Sequence, residues 1–180
     1  MIAGGVELDI AVLLMRLLLG LTMAAHGWNK FFGKGGIQAR AAWFESIGMK
    51  PGLFNARAAA SVELAAGLAL ALGAFTPLAA AGFVAVMLVA IRTVSGRNGF
   101  FITANGYEYN LVLAATPVLL AMIGAGRFSV DHLLFAGTPI AGLFSGWWAF
   151  AIGAGLGILG ALGQLALFYR PTPPKKPIAV

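Results

Sequence analysis

Apolar positions in this chain fall into five runs, separated by short segments where glycine, proline and charge collect. A run of about 17–25 apolar residues is long enough to cross a bilayer as a helix. The pattern predicts spans over Leu8–Trp28, Leu53–Gly73, Pro77–Arg92, Tyr109–Gly124 and Trp147–Phe168. Only Ala74, Phe75 and Thr76 lie between the second and third, and Pro77 suits a first helical turn. That join reads as a tight helical hairpin. Two connections are longer. Residues 29–52 hold an interfacial helix candidate, IQARAAWFESIG, stopped by Gly48 and Pro51. Residues 93–108, TVSGRNGFFITANGYE, mix glycine, aromatic and polar groups and suit a segment that dips back toward the membrane. The parts are a helical bundle over 1–135, an additional transmembrane helix within 136–170, and a basic proline-rich tail over 171–180.

Composition agrees with this pattern. The 180 residues are 60% hydrophobic and 10% charged, against about a quarter charged in soluble domains. Such a chain cannot cover a water-facing surface, so it reads as an all-α integral membrane protein. Glu7 and Asp9 precede the first run where a secretory signal would carry Lys or Arg, so the first helix is expected to be retained. No cysteine is present. That excludes disulfides, thiolate metal sites, iron–sulfur clusters and a dithiol relay within the chain.

Charge then sets topology. Of twelve Lys and Arg, Arg16 lies inside a span and Arg127 stands on one side of the membrane; the other ten gather on the opposite side with five spans. This asymmetry predicts an outside N-terminus and a cytoplasmic C-terminus. The net charge of +6 therefore reads as orientation, and no nucleic-acid partner is expected.

Arg16 and Glu63 are the ionisable groups well inside spans. Measured from the shared outer helix ends they lie ~12 Å and ~15 Å deep. Arg16, Gly20, Met23, Gly27 and Lys30 form one helical stripe; Ala59, Glu63, Ala66, Gly67 and Leu70 form another. The small residues let backbones approach. The expectation is an intramembrane Arg16–Glu63 ion pair, either functional or fixing helix packing. A second cluster, His26, Lys30, Arg92, Tyr107 and Glu108, sits near the cytoplasmic helix ends. It reads as a polar pocket for a lipid head group or quinone, with ordinary helix-end anchoring as the alternative, above all for Trp28 and Lys30. His26 and His132 fall a membrane apart, so they cannot clamp one haem, and no resident metal is expected. Arg127 and Asp131, in GAGRFSVD, are placed to pair or to cap helix ends. Gly153 and Gly157 form a GxxxG contact surface in the last run, facing either this chain or a partner.

These elements, in order, resemble the DoxX family of small bacterial membrane proteins. The resemblance rests on Arg16, Gly20, Gly27 and Lys30; on Glu63, Gly67 and Gly73; and on NGYEYNLVL through GAGRFSVD. It spans about residues 12–135. It implies a four-helix bundle, to which the run at 147–168 adds a fifth helix suited to docking. It also implies association with redox systems, since the family name comes from a subunit linked to a thiosulfate:quinone oxidoreductase. A broader similarity to four-helix disulfide–quinone enzymes would imply reactive cysteines, which this chain lacks.

Three functions follow as expectations. The first is an accessory membrane subunit or anchor of a redox or respiratory complex, with membrane lipid, other subunits or a second copy as partners. It would carry no intrinsic cofactor beyond a quinone or lipid. The second is a catalytic quinone-reactive subunit, for which the chain itself supplies no electron source. The third is a small proton-coupled transporter.

Overall fold

The computed structural model describes residues 5–171. The proline-rich tail, with Lys175 and Lys176, lies almost wholly outside them. Among the described residues seven α-helices follow one another: α1 (Val6–Phe32), α2 (Gly36–Ser46), α3 (Gly52–Leu72), α4 (Thr76–Thr93), α5 (Glu108–Ile123), α6 (Val130–Phe135) and α7 (Gly146–Phe168). The fold is all-α. Helices α1, α3, α4 and α7 are long and apolar enough to cross a membrane; α5, at 16 residues, is shorter. It nonetheless runs the length of the bundle. Its start is tied to the end of α4 by Ser95 and Asn110, at 3.0 Å. The segment after its end returns to the start of α1, where the Arg127 amide donates to Asp9 at 2.9 Å.

Helices α1 and α3 run antiparallel and approach closely. A Cβ added at Gly20 would stand 2.5 Å from the Gly67 carbonyl oxygen, and one at Gly27 would stand 2.6 Å from the Leu64 amide nitrogen. Both stripes expected from the sequence are buried here, Gly20, Met23 and Gly27 on α1 and Ala59, Ala66, Gly67 and Leu70 on α3.

The α3–α4 hairpin is as tight as expected. Gly73 ends α3 in the left-handed region at φ 64°, the usual solution for a helix C-terminus. Phe75 then takes φ 48°, uncommon for a residue with a side chain. The Asp131 carboxylate holds that turn. It accepts from the amides of Phe75 (2.5 Å) and Thr76 (2.8 Å), capping α4 from another helix. Asp131→Ala is expected to lower stability by about 0.5–2 kcal/mol, the range of a lost N-cap. Thermal unfolding in detergent checks this; an unchanged midpoint would show that the cap is dispensable.

Helix α7 packs chiefly on α4 and then on α5. Its GxxxG face is used within the chain: a Cβ at Gly153 would lie 3.3 Å from Ala80, and one at Gly157 would lie 2.5 Å from Val84. Ala149 and Ala161 join the two hydrophobic cores of the bundle. Beyond α7 the chain returns to the α2–α3 connection. The Lys50 amide donates to Phe168 (2.9 Å) and the Arg170 amide to Gly48 (2.6 Å). The end of α7 therefore lies beside the α2–α3 connection.

The 93–108 connection is a compact loop with two short 3-10 turns, at 95–98 and 102–104. It closes on itself through bonds from the Tyr107 amide to Gly99 and the Glu108 amide to Phe100, leaving Phe100, Phe101 and Ile102 exposed.

Candidate functional site

The expected Arg16–Glu63 pair does not form. Glu63 accepts from the Lys30 ammonium instead. The Arg16 guanidinium, fully buried, donates to the carbonyls of Phe128 (2.6 Å) and Ala71 (3.4 Å). The reason is register. Gly20 faces Gly67 and Ala71, which fixes how the two helices slide against each other. Arg16 lies one turn outward of Gly20 and Glu63 one turn inward of Gly67, so roughly 12 Å of axis separates them at 1.5 Å per residue. Equal depth from the helix ends misled because the outer ends are not level: Arg16 reaches Ala71 and Gly73 at the very end of α3, so the part of α1 before it projects beyond α3.

Two polar centres result, one at each end of the bundle. At the α3–α4 hairpin, Arg16, Asp131 and Asp9 stitch loop carbonyls and helix starts together. Arg127 does not pair with Asp131; its Nε lies 3.8 Å from Asp9. Gly73 leaves room for Arg16, since a Cβ there would collide with the guanidinium. The hydrogen bonds here close the fold on itself, beside a cavity of about 440 Å³ lined by Asp9, Arg127, Ser129 and Asp131.

The other centre surrounds a cavity of about 200 Å³. Met23, His26 and Lys30 line it from α1, Trp43 and Phe44 from α2, and Ile47 from just beyond the end of α2. Glu63 comes from α3, Met87, Val89 and Thr93 from α4, Tyr109 and Asn110 from α5, and Gln164 from α7. The walls are mainly apolar, with a few convergent polar groups, the usual make-up of a small-molecule site. Glu63 is almost fully enclosed and Lys30 partly so, with side-chain exposures of 5% and 21%. One Lys30–Glu63 contact leaves ammonium protons and carboxylate lone pairs unspent. Asn110 accepts from Ser95 and donates to the Met87 sulfur at 3.4 Å. Gln164 donates to Asn55 at 3.2 Å, and Asn55 in turn donates to the Pro51 carbonyl.

Of the residues expected to form this pocket, His26 and Lys30 do. Arg92, Tyr107 and Glu108 do not. The Arg92 guanidinium sits over the Tyr169 ring, 5.2 Å from its centroid, and Arg97 reaches the Tyr169 hydroxyl at 3.3 Å. Both hold the end of α7. Tyr107 stands at the start of α5, and Glu108 accepts from the Ile102 amide at 3.0 Å, closing its own loop. The two residues after Glu108, Tyr109 and Asn110 in the first turn of α5, face the cavity instead. Trp28 is exposed on the outer face of α1. Asn55 and Gln164 carried a legible signal, since amides inside apolar runs are expensive and seek partners. Attention to ionisable groups alone passes over them. Trp43 gave no such signal, because only the docking of α2 brings it to the site.

Comparison with known proteins agrees with the architecture. The DoxX family profile matches residues 11–96, which take in α1 through α4. The Bacillus subtilis protein named "Putative oxidoreductase CatD" is 32% identical over 130 residues, covering 72% of this chain and 90% of that relative. The Escherichia coli "Inner membrane protein YqjF" is 30% identical over 131 residues, covering 70% of this chain and 93% of its own. A Haemophilus influenzae protein is 25% identical over 138 residues, covering 72% and 87%. No solved structure matches significantly. The chain is a member of the DoxX family of membrane proteins.

Proposed function

We propose that this chain is an accessory membrane subunit of a redox enzyme complex, and that it holds a quinone ring or a lipid head group in the cavity beside Lys30 and Glu63. The observation that carries the reading is the cavity itself. An ion pair, His26 and two amides converge there on apolar walls, within helices that cross a membrane. The Arg16 end also borders a cavity, of about 440 Å³ and lined by Asp9, Arg127 and Asp131, but the Asp9 and Asp131 carboxylates there are already engaged by backbone amides of the fold. The redox side draws support from the name of the Bacillus subtilis relative, which contains the word oxidoreductase. The orientation we favour places the N-terminus outside and the C-terminus in the cytoplasm of a bacterial plasma membrane. Its support is the gathering of basic residues at the α2 end of the bundle. A basic cytoplasmic face suits acidic partner subunits as well as anionic lipid.

A catalytic quinone-reactive role is the second reading. It is favoured by His26, Lys30 and Glu63 standing where a bound ring would exchange protons, and it requires an electron donor from a partner. Affinity isolation of the full chain from native membranes in mild detergent tests the primary reading. The expected result is copurification with a larger complex containing a redox protein. Recovery as a free, monodisperse species even after crosslinking would overturn it. Reduction of a quinone by the isolated complex, lost in Glu63→Gln with the complex intact, would move the assignment to the second reading.

A further inference from the structure

We infer that the cavity takes an amphiphile with a neutral, single-ring, oxygen-bearing head, and that this ligand enters sideways from the bilayer between α1, α2 and α5. The inference rests on the cavity being the working site proposed above, and adds the route and the charge of the ligand.

The route follows from which lining residues are open. Glu63 lies at the floor, 4% exposed, while Trp43 and Tyr109 are 43% and 39% exposed. His26 is exposed as well. These three come from α2, α5 and α1, so they mark a rim where three helices meet. Helix α5 spends its contacts on α4 and α7 and touches α1 sparsely, leaving the gap between them unfilled. His26 lies about 9 Å inward of the end of α1, at 1.5 Å per residue. The mouth therefore opens at the boundary between head groups and tails, where Trp and Tyr are favoured. A molecule whose head enters here keeps its tail among lipids.

The charge follows from the floor. Lys30 and Glu63 pair, so their charges cancel. A phosphate or carboxylate head would face the Glu63 carboxylate and compete with it for Lys30, losing the buried acid its partner. A neutral head meets no such conflict. Its oxygens accept from spare Lys30 protons, and a hydroxyl donates to the free Glu63 oxygen. Size agrees, since a cavity of about 150 Å³ holds a benzene ring and this one measures about 200 Å³.

The test uses the full chain in phosphatidylcholine nanodiscs, with Trp28, Trp147 and Trp148 replaced by phenylalanine so that Trp43 alone reports. Decylubiquinone is expected to quench Trp43 saturably, whereas a variant keeping only Trp147 shows linear, collisional quenching. The same ring without its tail is expected to bind at least about tenfold more weakly, because the apolar tail concentrates the ligand in the bilayer from which the site is entered. Equal binding of the tail-less ring would overturn the lateral route. Nanodiscs enriched in phosphatidylglycerol are expected to leave the decylubiquinone midpoint unchanged. In Glu63→Gln, which leaves the Lys30 charge uncancelled, the anionic lipid is expected to compete. Competition by phosphatidylglycerol in the unaltered chain would overturn the neutral-head assignment while leaving the cavity a binding site. Failure to copurify with a redox partner bears on the accessory role and not on this result.

Discussion

Glu63→Leu is expected to destabilise the bundle by about 3–5 kcal/mol, the loss seen when one partner of a buried ion pair is removed. The leucine is well suited to an apolar wall, so the cost falls on Lys30. Its ammonium would remain at the edge of a cavity with its one carboxylate partner gone. Lys30 is partly exposed, which places the expected value near the lower end of that range. The double variant Lys30→Met/Glu63→Leu is expected to recover most of the loss, because no charge is then left unpaired. Thermal and denaturant unfolding in one detergent, for both single variants and the double, measures this coupling. If the double variant were as unstable as the sum of the singles, the two side chains would not be acting as a pair. Recovered stability with abolished ligand binding is the expected signature of a pair kept for its site.

Gly67→Val is the second substitution with a large expected effect. A Cβ at Gly67 would collide with the Ala24 amide nitrogen and lie 2.6 Å from the Gly20 carbonyl oxygen. Both are backbone atoms, so relief requires α1 and α3 to move apart. Overpacking of this kind costs about 1–3 kcal/mol, and a backbone clash belongs at or above the upper end. The effect is also expected to reach the site, because that register brings Lys30 to Glu63. Cysteine pairs introduced into this cysteine-free chain at positions 30 and 63 check it through bridging by a short bifunctional thiol reagent, since a direct disulfide needs closer backbones. Crosslinking should be efficient in the parent and reduced by Gly67→Val. Unchanged crosslinking together with unchanged stability would show that α1 and α3 are not held by this contact.

The helices themselves were legible in the sequence. Each of the five apolar runs corresponds to a helix whose ends fall within about one turn of those predicted, and α2 occupies the interfacial segment. The buried faces of α1 and α3 were legible too, since helical periodicity fixes which residues share a side. The hairpin at Pro77 was readable from three intervening residues.

Partnership was not. Periodicity gives the rotation of a helix but not its slide against a neighbour. That slide is set by which glycine meets which carbonyl, and one turn of offset sends Arg16 to Phe128 and Glu63 to Lys30. Arg92 and Glu108 show the same limit at shorter range. Both lie at the correct end of the bundle, yet one turns to Tyr169 and the other to its own loop. Long charged side chains reach several partners at little cost in conformation, so local sequence leaves the choice open.

The amino-acid sequence by itself determined a membrane-spanning, all-α chain of this family, the faces its helices bury and the absence of thiol chemistry. Those properties depend on composition and on positions within one helix. The tertiary structure alone decided that the polar groups divide into a stitched end and an open cavity. It also decided that Trp43, Asn110 and Gln164 share that cavity with His26 and Lys30. Those outcomes depend on close packing between helices, where backbone contacts at a few glycines fix the register and the register assigns every charged partner.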